Sequence, residues 1–252
     1  MGKVGRNWTW KKIAEESLMS LTQIKKELRE YSSKKQSKIL QRFFKTGPGE
    51  YGEGDIFIGV KVPATRELAK KHQNLPLKET LKLLKSPIHE ERLLALLILV
   101  IRYPGANDSQ KRAIYELYLK HTKYINNWDL VDLTASHIVG PYLVSKPKKI
   151  LYELAKSKLL WDRRISIIAT HYYIKNNQFK DTLKIAKILL TDKEDLMHKA
   201  VGWMLREVGK RDLKPLEAFL KAHYKDIPRT TLRYAIERFP EPKRQAYLKG
   251  KI

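Results

Sequence analysis

The sequence predicts an all-α protein, an α-α superhelix built from HEAT-like helix-pair repeats with a concave basic groove. Apolar residues recur at the 3.6-residue period of an amphipathic helix along most of the chain. Apolar helices also open at intervals of roughly 30 to 40 residues, a period typical of two-helix solenoid repeats. Stacked pairs of this kind curve, so that one helix of each pair lines a concave face.

The N-terminal part contains two amphipathic helices and a loop. Leu18, Leu21, Ile24 and Leu28 mark the first helix, and the residues from Ile39 to Phe44 mark the second. Four glycines between positions 47 and 54 end helical structure and predict a loop. Pro63 is expected near the first position of the following helix. We therefore expect one domain over residues 1–252, with N-terminal helices in 1–45, a glycine-rich loop in 46–63 and helix pairs in 64–252.

The repeats follow from residue 64 onward. Shorter amphipathic helices, expected at residues 111–120, 148–155, 181–190 and 213–223, alternate with the more apolar ones. The five apolar helices are expected to open at residues 86–90, 126–129, 160–163, 196–199 and 227–230.

The chain is strongly basic, with 51 Lys and Arg against 27 Asp and Glu and a net charge of +24. Such an excess favours nucleic acid as the partner over an anionic membrane, and the alternative is a solubilising lysine-rich surface. The sequence has no cysteine, which excludes disulfides, zinc fingers and cysteine nucleophiles. No two histidines have metal-ligand spacing, and no apolar run is long enough to span a membrane. We expect a cytoplasmic monomer without metal or cofactor.

Three tryptophans recur beside charged residues, in Asn127-Trp-Asp-Leu-Val-Asp132, Trp161-Asp-Arg-Arg164 and Gly202-Trp-Met-Leu-Arg-Glu207. Helical spacing places Trp128 on one face with Asp132, and Trp203 on one face with Arg206. Asp132 is the main candidate, as an ionised carboxylate in an arginine-flanked site that stabilises a developing cation. The alternatives are a surface aspartate or a buried Asp–Arg strut between repeats. A tryptophan at this spacing is also common in a core.

Arginines at positions 163, 164, 206, 229 and 233 suit forked contacts to phosphates, although each also suits an ordinary surface or inter-repeat charge. If the solenoid prediction holds, Arg164 lies one repeat beyond Asp132 and close to it.

Several segments in the same order closely resemble the AlkD-like DNA alkylation repair family, which are DNA glycosylases built from HEAT-like repeats. The resemblance covers roughly residues 38 to 240. It depends on Phe43-Phe-Lys-Thr-Gly-Pro-Gly-Glu-Tyr-Gly-Glu-Gly-Asp55, Gly59-Val-Lys-Val-Pro63, Trp128-Asp-Leu-Val-Asp132, Arg163-Arg164 and His198-Lys-Ala-Val-Gly-Trp-Met-Leu-Arg-Glu207.

The resemblance implies a monofunctional enzyme that removes N3- and N7-alkylated purines from duplex DNA by hydrolysis and leaves an abasic site. It implies Asp132 as the catalytic residue, with Trp128, Trp203 and Arg164 against the substrate. DNA contacts are expected from Phe43, Arg163, Lys199, Arg206, Arg229 and Arg233. Phe43 departs from the pattern, because an aromatic residue with a hydroxyl is associated with that position. The rival hypotheses are a non-catalytic scaffold for distorted or branched nucleic acid and a protein-binding solenoid.

Overall fold

The computed structural model describes residues 21–251, and the helical prediction is confirmed over that range. The described chain consists of helices, turns and one isolated bridge between Ile56 and Ile88, with no strand. Within the same residues, no helix combines the length and the apolarity that crossing a membrane requires. The part of the first predicted helix before residue 21 lies outside the described residues.

The chain divides after Gln110 into two compact units. In the first unit, residues 21–30 form the described part of α1, and α3 and α4 pack against the long, largely buried α5. The predicted loop lies between α2 and α3, and Pro63 stands in the first turn of α3, as expected. The helices after α1 are α2 (Lys34–Phe43), α3 (Val62–Lys71), α4 (Leu77–Leu84) and α5 (His89–Arg102).

The glycine-rich loop is fixed by a buried carboxylate of α5. Glu90 accepts hydrogen bonds from the backbone N–H groups of Ile58, Gly59 and Val60 at 3.1, 2.8 and 3.2 Å. Gly59 has a φ of +87°, and a Cβ at this position would lie 2.2 Å from the carbonyl oxygen of Ser33. Only glycine allows this approach, so the end of the loop lies directly against the start of α2.

In the second unit, which begins within α6, the helix pairs fall where the sequence placed them. The apolar helices α7, α10, α13 and α15 start within two residues of their predicted openings. α10 packs against α7, α8, α9, α12 and α13, and α13 packs in turn against α14 and α15. The helices are α6 (Asp108–Lys120), α7 (Trp128–Asp132), α8 (Ala135–Leu143), α9 (Lys149–Leu154), α10 (Leu160–Ala169), α11 (His171–Lys175), α12 (Lys180–Leu189), α13 (Asp195–Arg211), α14 (Leu213–Ala222), α15 (Arg229–Ala235) and α16 (Glu241–Leu248).

The helix that opens with Trp128 is only five residues long. It ends after Asp132, and α8 begins three residues later. The hydroxyl of Thr134 donates to the carbonyl of Leu130 at 2.5 Å and lies 2.9 Å from the hydroxyl of Tyr118. A threonine hydroxyl that bonds to a backbone carbonyl competes with the regular helical pattern. This break leaves Asp132 at the C-terminal end of a one-turn helix.

Gly202 allows α13 and α15 to approach closely, and we expect its replacement by alanine to destabilise the protein. A Cβ at this position would lie 2.5 Å from the Cβ of Tyr234 and 2.6 Å from the carbonyl oxygen of Thr231. Overpacking of this kind costs about 1–3 kcal/mol, and the higher helix propensity of alanine returns at most about 1 kcal/mol. Denaturant unfolding of Gly202→Ala should show this loss. Gly105→Ala is the matched control because nothing lies within 4 Å of its added Cβ. Equal stability of the two variants would contradict the packing argument.

Candidate functional site

The short helix α7 places Trp128 and Asp132 on its accessible side. The side chain of Asn127 caps the helix by accepting a hydrogen bond from the N–H of Trp128 at 2.8 Å. Residues 129–131 are buried, whereas Trp128 and Asp132 are only partly buried. Since the two are four residues apart, they share one face, as the sequence predicted.

Asp132 and Arg164 form a two-point ion pair between α7 and α10. Nε and Nη2 of Arg164 each donate to a different carboxylate oxygen of Asp132, both at 2.8 Å. The third nitrogen, Nη1, donates to the carbonyl oxygen of Leu196 in α13 at 2.5 Å. The side chain of Arg164 is 6% exposed and that of Asp132 is 15% exposed. The guanidinium therefore joins three helices and holds the carboxylate in one orientation, and the proximity predicted from the repeat spacing is found.

Burial raises the pKa of Asp132 above its ordinary value, while the charge and hydrogen bonds of Arg164 oppose that rise. The nearby carboxylate of Asp129 adds to the increase. A carboxylate offers about four lone-pair positions, and the two bonds from Arg164 occupy one on each oxygen. The partly exposed carboxylate thus retains acceptor capacity for a water molecule or for a cationic group.

Trp203 lies on the partly exposed face of α13, two turns after the residue that binds Arg164. Leu196 and Trp203 are seven residues apart, which puts them on the same side of the helix, about 10 Å apart along its axis. The indole ring packs beside His171, with ring centroids 5.8 Å apart. Burial, with a smaller contribution from Lys175, lowers the pKa of His171 to about 4. The indole of Trp203 therefore has a neutral imidazole as its neighbour at pH 7.

Arg163 holds the turn that precedes α10, and its predicted contact with DNA stays a prediction. Its Nη1 donates to the carbonyl oxygens of Ser157 and Lys158, both at 3.0 Å, and its Nε donates to Asp192 at 2.6 Å. The hydroxyl of Ser157 accepts from the N–H two residues further on.

The same arrangement occurs at two other helix starts. At α5, Arg92 donates to the carbonyl oxygen of Ser86, six residues earlier, and the hydroxyl of Ser86 accepts from the N–H of Ile88. At α13, a ring nitrogen of His198 lies 2.6 Å from the carbonyl oxygen of Asp192, again six residues earlier. We call this side chain, which bonds to the backbone carbonyl six residues earlier, the brace of the helix start. Arg163 is the brace of α10, and Arg164 directly follows it.

In α10 and α13 the residue after the brace is a cation, Arg164 or Lys199, whereas in α5 it is the buried Leu93. In the second unit the repeat register extends a row of charged residues from these two cations to Asp132 in α7 and Arg233 in α15. Lys199 forms an ion pair with Asp195 at 2.6 Å and remains partly exposed. Arg233 is exposed, and within residues 21–251 it has no carboxylate partner. One acid is therefore followed by three cations on successive repeats.

The other two candidate arginines already have partners within the protein. Arg206 forms an ion pair with Glu237, and Nη2 of Arg229 donates to the carbonyl oxygen of Leu248 at 2.9 Å. Arg229 is exposed and Arg206 is largely covered. Their predicted contacts with DNA stay predictions.

Phe43 belongs to the first unit, at the C-terminal end of α2. Its side chain is 60% exposed, and its ring meets Phe44 edge to face with centroids 5.1 Å apart. Phe44 itself is buried and stacks on Phe57. The exposed neighbour of this aromatic cluster is thus the residue predicted to contact DNA.

Two contributors to the site could not be read from the sequence. The carbonyl oxygen of Leu196 anchors Arg164, and a backbone acceptor leaves no mark on residue type. His171 adjoins Trp203 only because α11 packs against α13. His171 and Lys175 share helical spacing, but that pairing does not indicate a tryptophan on another helix, so the sequence gave no signal for this contact.

Comparison with known proteins agrees with the predicted resemblance. A family model described as DNA alkylation repair enzyme matches residues 24–239. A solved structure titled as a predicted DNA alkylation repair enzyme from Enterococcus faecalis superimposes with a TM-score of 0.66. Its sequence is 14% identical, and the match covers 83% of this chain and 97% of that one, so the two share an α-α superhelical fold. No curated protein matches the sequence. The match to the family model over most of the chain shows that this protein belongs to the DNA alkylation repair enzyme family.

Proposed function

We propose that this protein is a monofunctional DNA glycosylase that removes N3- and N7-alkylated purines from duplex DNA and leaves an abasic site. The observation that supports it is the Asp132 carboxylate, partly exposed beside Trp128 and held at both oxygens by Arg164. Membership in a DNA alkylation repair family supplies the class of substrate.

The reaction breaks the bond between C1′ of deoxyribose and the purine nitrogen. Alkylation at N3 or N7 makes the purine cationic, so that it leaves as a neutral base when it takes both electrons of that bond. Positive charge then develops on the sugar, and water supplies the oxygen that bonds to C1′ while its proton passes to solvent. A fixed carboxylate stabilises such a transition state because the charge it faces is larger there than in the bound substrate.

Asp132 provides this carboxylate, and its remaining lone pairs can orient the attacking water. Trp128 presents an indole on the same face of α7, and aromatic faces attract cations such as an alkylated purine. Three of the five N–H groups of Arg164, one on each nitrogen, donate to Asp132 and Leu196, and its side chain is only 6% exposed. Its role in this proposal is therefore to position Asp132 rather than to bind phosphate, and Lys199 and Arg233 remain as candidates for phosphate contacts.

A second function, binding of distorted or branched nucleic acid without catalysis, has one observation in its favour. Asp132 and Arg164 form the kind of inter-repeat ion pair that can serve only to hold helices together. In that case the basic residues would bind DNA, and Asp132 would contribute to stability alone. Measurement of base release separates the two functions.

We expect the purified protein to release free 7-methylguanine and 3-methyladenine from methylated duplex DNA. Released bases are quantified by chromatography, and the abasic sites left in the duplex by alkaline cleavage of the strand. Because water is the nucleophile, borohydride should trap no covalent protein–DNA adduct. Absence of released base from DNA that the protein binds would favour the non-catalytic function, and a trapped adduct would contradict hydrolysis by a monofunctional enzyme.

A further inference from the structure

The helix α2 presents an unusual outer surface. Its inner side is fixed by Ser37, whose hydroxyl donates to the carbonyl oxygen of Phe57 at 2.7 Å. None of its ten residues is buried. Its sequence, Lys-Lys-Gln-Ser-Lys-Ile-Leu-Gln-Arg-Phe, contains four cations and no carboxylate. The helix therefore carries a concentrated positive charge of +4.

Apolar side chains are exposed among these cations. Tyr31, just before α2, is 49% exposed, and Ile39 within it is 51% exposed. Large exposed hydrophobic residues are few in the described chain, and Phe43 adds another one turn after Ile39. Clustering of such residues on one helix marks a binding surface more often than scattered exposure does.

A groove of about 480 Å³ lies beside this surface, between α2 and the start of α3. Tyr31 and Ile39 supply its apolar lining, Lys35 and Lys61 supply positive charge, and Gln36 supplies an amide. The lining contains no carboxylate. Its volume lies within the range of sites that hold small organic groups, roughly 300–1,000 Å³.

The lining determines which chemical class fits. Two lysines without a carboxylate favour an anion, and an exposed tyrosine with an isoleucine favours a flat apolar group attached to it. An unstacked nucleotide has both parts, because its base can stack on an aromatic ring while its phosphate meets the lysines. Fully paired duplex offers the phosphates but keeps its base faces covered.

We propose that the α2 groove binds an unstacked nucleotide of a single DNA strand, with the base over Tyr31 and Ile39 and the phosphates at Lys35 and Lys61. This inference rests on the proposed function, because that function makes DNA the partner. It adds a second DNA-contact surface to the one around Asp132. The groove gives the protein a preference for DNA in which part of a strand is unpaired.

The test compares fluorescence anisotropy of two unmethylated probes, a blunt 20-base-pair duplex and the same duplex with a single-stranded thymidine overhang. Stacking of one base on an aromatic side chain contributes about 1–3 kcal/mol, so we expect roughly tenfold tighter binding of the overhang probe. The double variant Tyr31→Ala/Ile39→Ala should lose the stacking contribution and with it most of the preference for the overhang probe. The double variant Lys35→Gln/Lys61→Gln should reduce the salt dependence of overhang binding, by a slope of about 0.7 for each lysine.

Lys149→Gln is the control, since Lys149 is an exposed lysine of the second unit and should leave the preference unchanged. Thermal unfolding checks that each variant is folded. If the Tyr31/Ile39 double variant does not fold, the Lys35/Lys61 double variant still tests the inference. Equal binding of both probes by the wild-type protein would overturn the inference. Binding to phosphatidylserine vesicles that the same substitutions abolish, without a preference for the overhang, would assign the groove to lipid instead. Base release from methylated duplex is scored separately, so either idea can fail while the other stands.

Discussion

Asp132→Asn is expected to lower the rate of alkylpurine release by about 10²–10³-fold, the usual effect of removing one electrostatic group from a transition state. Asparagine has nearly the same shape, but its amide carries no negative charge to face the sugar cation. The substitution also removes a negative charge from the proposed DNA-binding surface, so affinity for uncleaved DNA should stay the same or increase. Single-turnover release of 7-methylguanine and anisotropy on unmethylated duplex measure the two quantities.

Separate measurement of base release and DNA affinity distinguishes a catalytic role of Asp132 from a structural one. Asp226→Asn, at an exposed position before α15, is the matched control and should release base at the wild-type rate. If Asp132→Asn is folded and releases base as fast as the wild-type protein, Asp132 is not catalytic. If release and thermal stability fall together while DNA binding is also lost, the ion pair acts only as a strut between α7 and α10.

Repetition of the helix pairs is what made the fold readable from the sequence. Ser86, Ser157 and Asp192 precede the apolar helices α5, α10 and α13, and each accepts a hydrogen bond from the N–H of the N-cap residue two positions later, which fixes the turn before the helix. Amphipathic spacing predicted the extents of the four shorter helices, at residues 111–120, 148–155, 181–190 and 213–223, to within three residues at each end. The early end of α7 depends on the Thr134 hydroxyl and on Tyr118 from another helix, a contact that no local pattern contains.

The candidate site was only partly readable for a similar reason. Asp132 and Arg164 are 32 residues apart, one repeat, so the register alone brought them together. The register does not say how many donors of an arginine are already in use. Arg163 and Arg164 are adjacent and identical in type, yet one braces a helix start and the other orients a carboxylate. Three-dimensional contacts with Asp192 and Leu196 decide between these roles.

Arg164→Met is expected to lower base release by about 10²-fold and to move the acid limb of the rate profile to higher pH. Asp132 must be ionised to stabilise the sugar cation, so activity exists above its pKa and is lost as the pH falls through that value. Burial already raises this pKa, and Arg164 is the main opposing influence. Without the guanidinium the pKa rises further, and the loss of activity on acidification begins at a higher pH. Loss of the two-point contact also lets the carboxylate rotate, and small displacements of a catalytic group cost about 10²-fold.

Arg163→Met is the control that separates a shift of the acid limb from a general loss of stability. Arg163 is also an arginine, it directly precedes Arg164, and it has its own carboxylate partner, Asp192, at 2.6 Å. Its replacement should lower the melting temperature, because the brace at the start of α10 is lost, but should leave the acid limb where it is. Arg164→Lys should retain part of the charge effect on the pKa of Asp132 and lose the forked geometry. Its acid limb should therefore lie between those of the wild-type protein and Arg164→Met, while its rate stays low. An acid limb that is the same in all four proteins would show that the group titrating in catalysis is not Asp132.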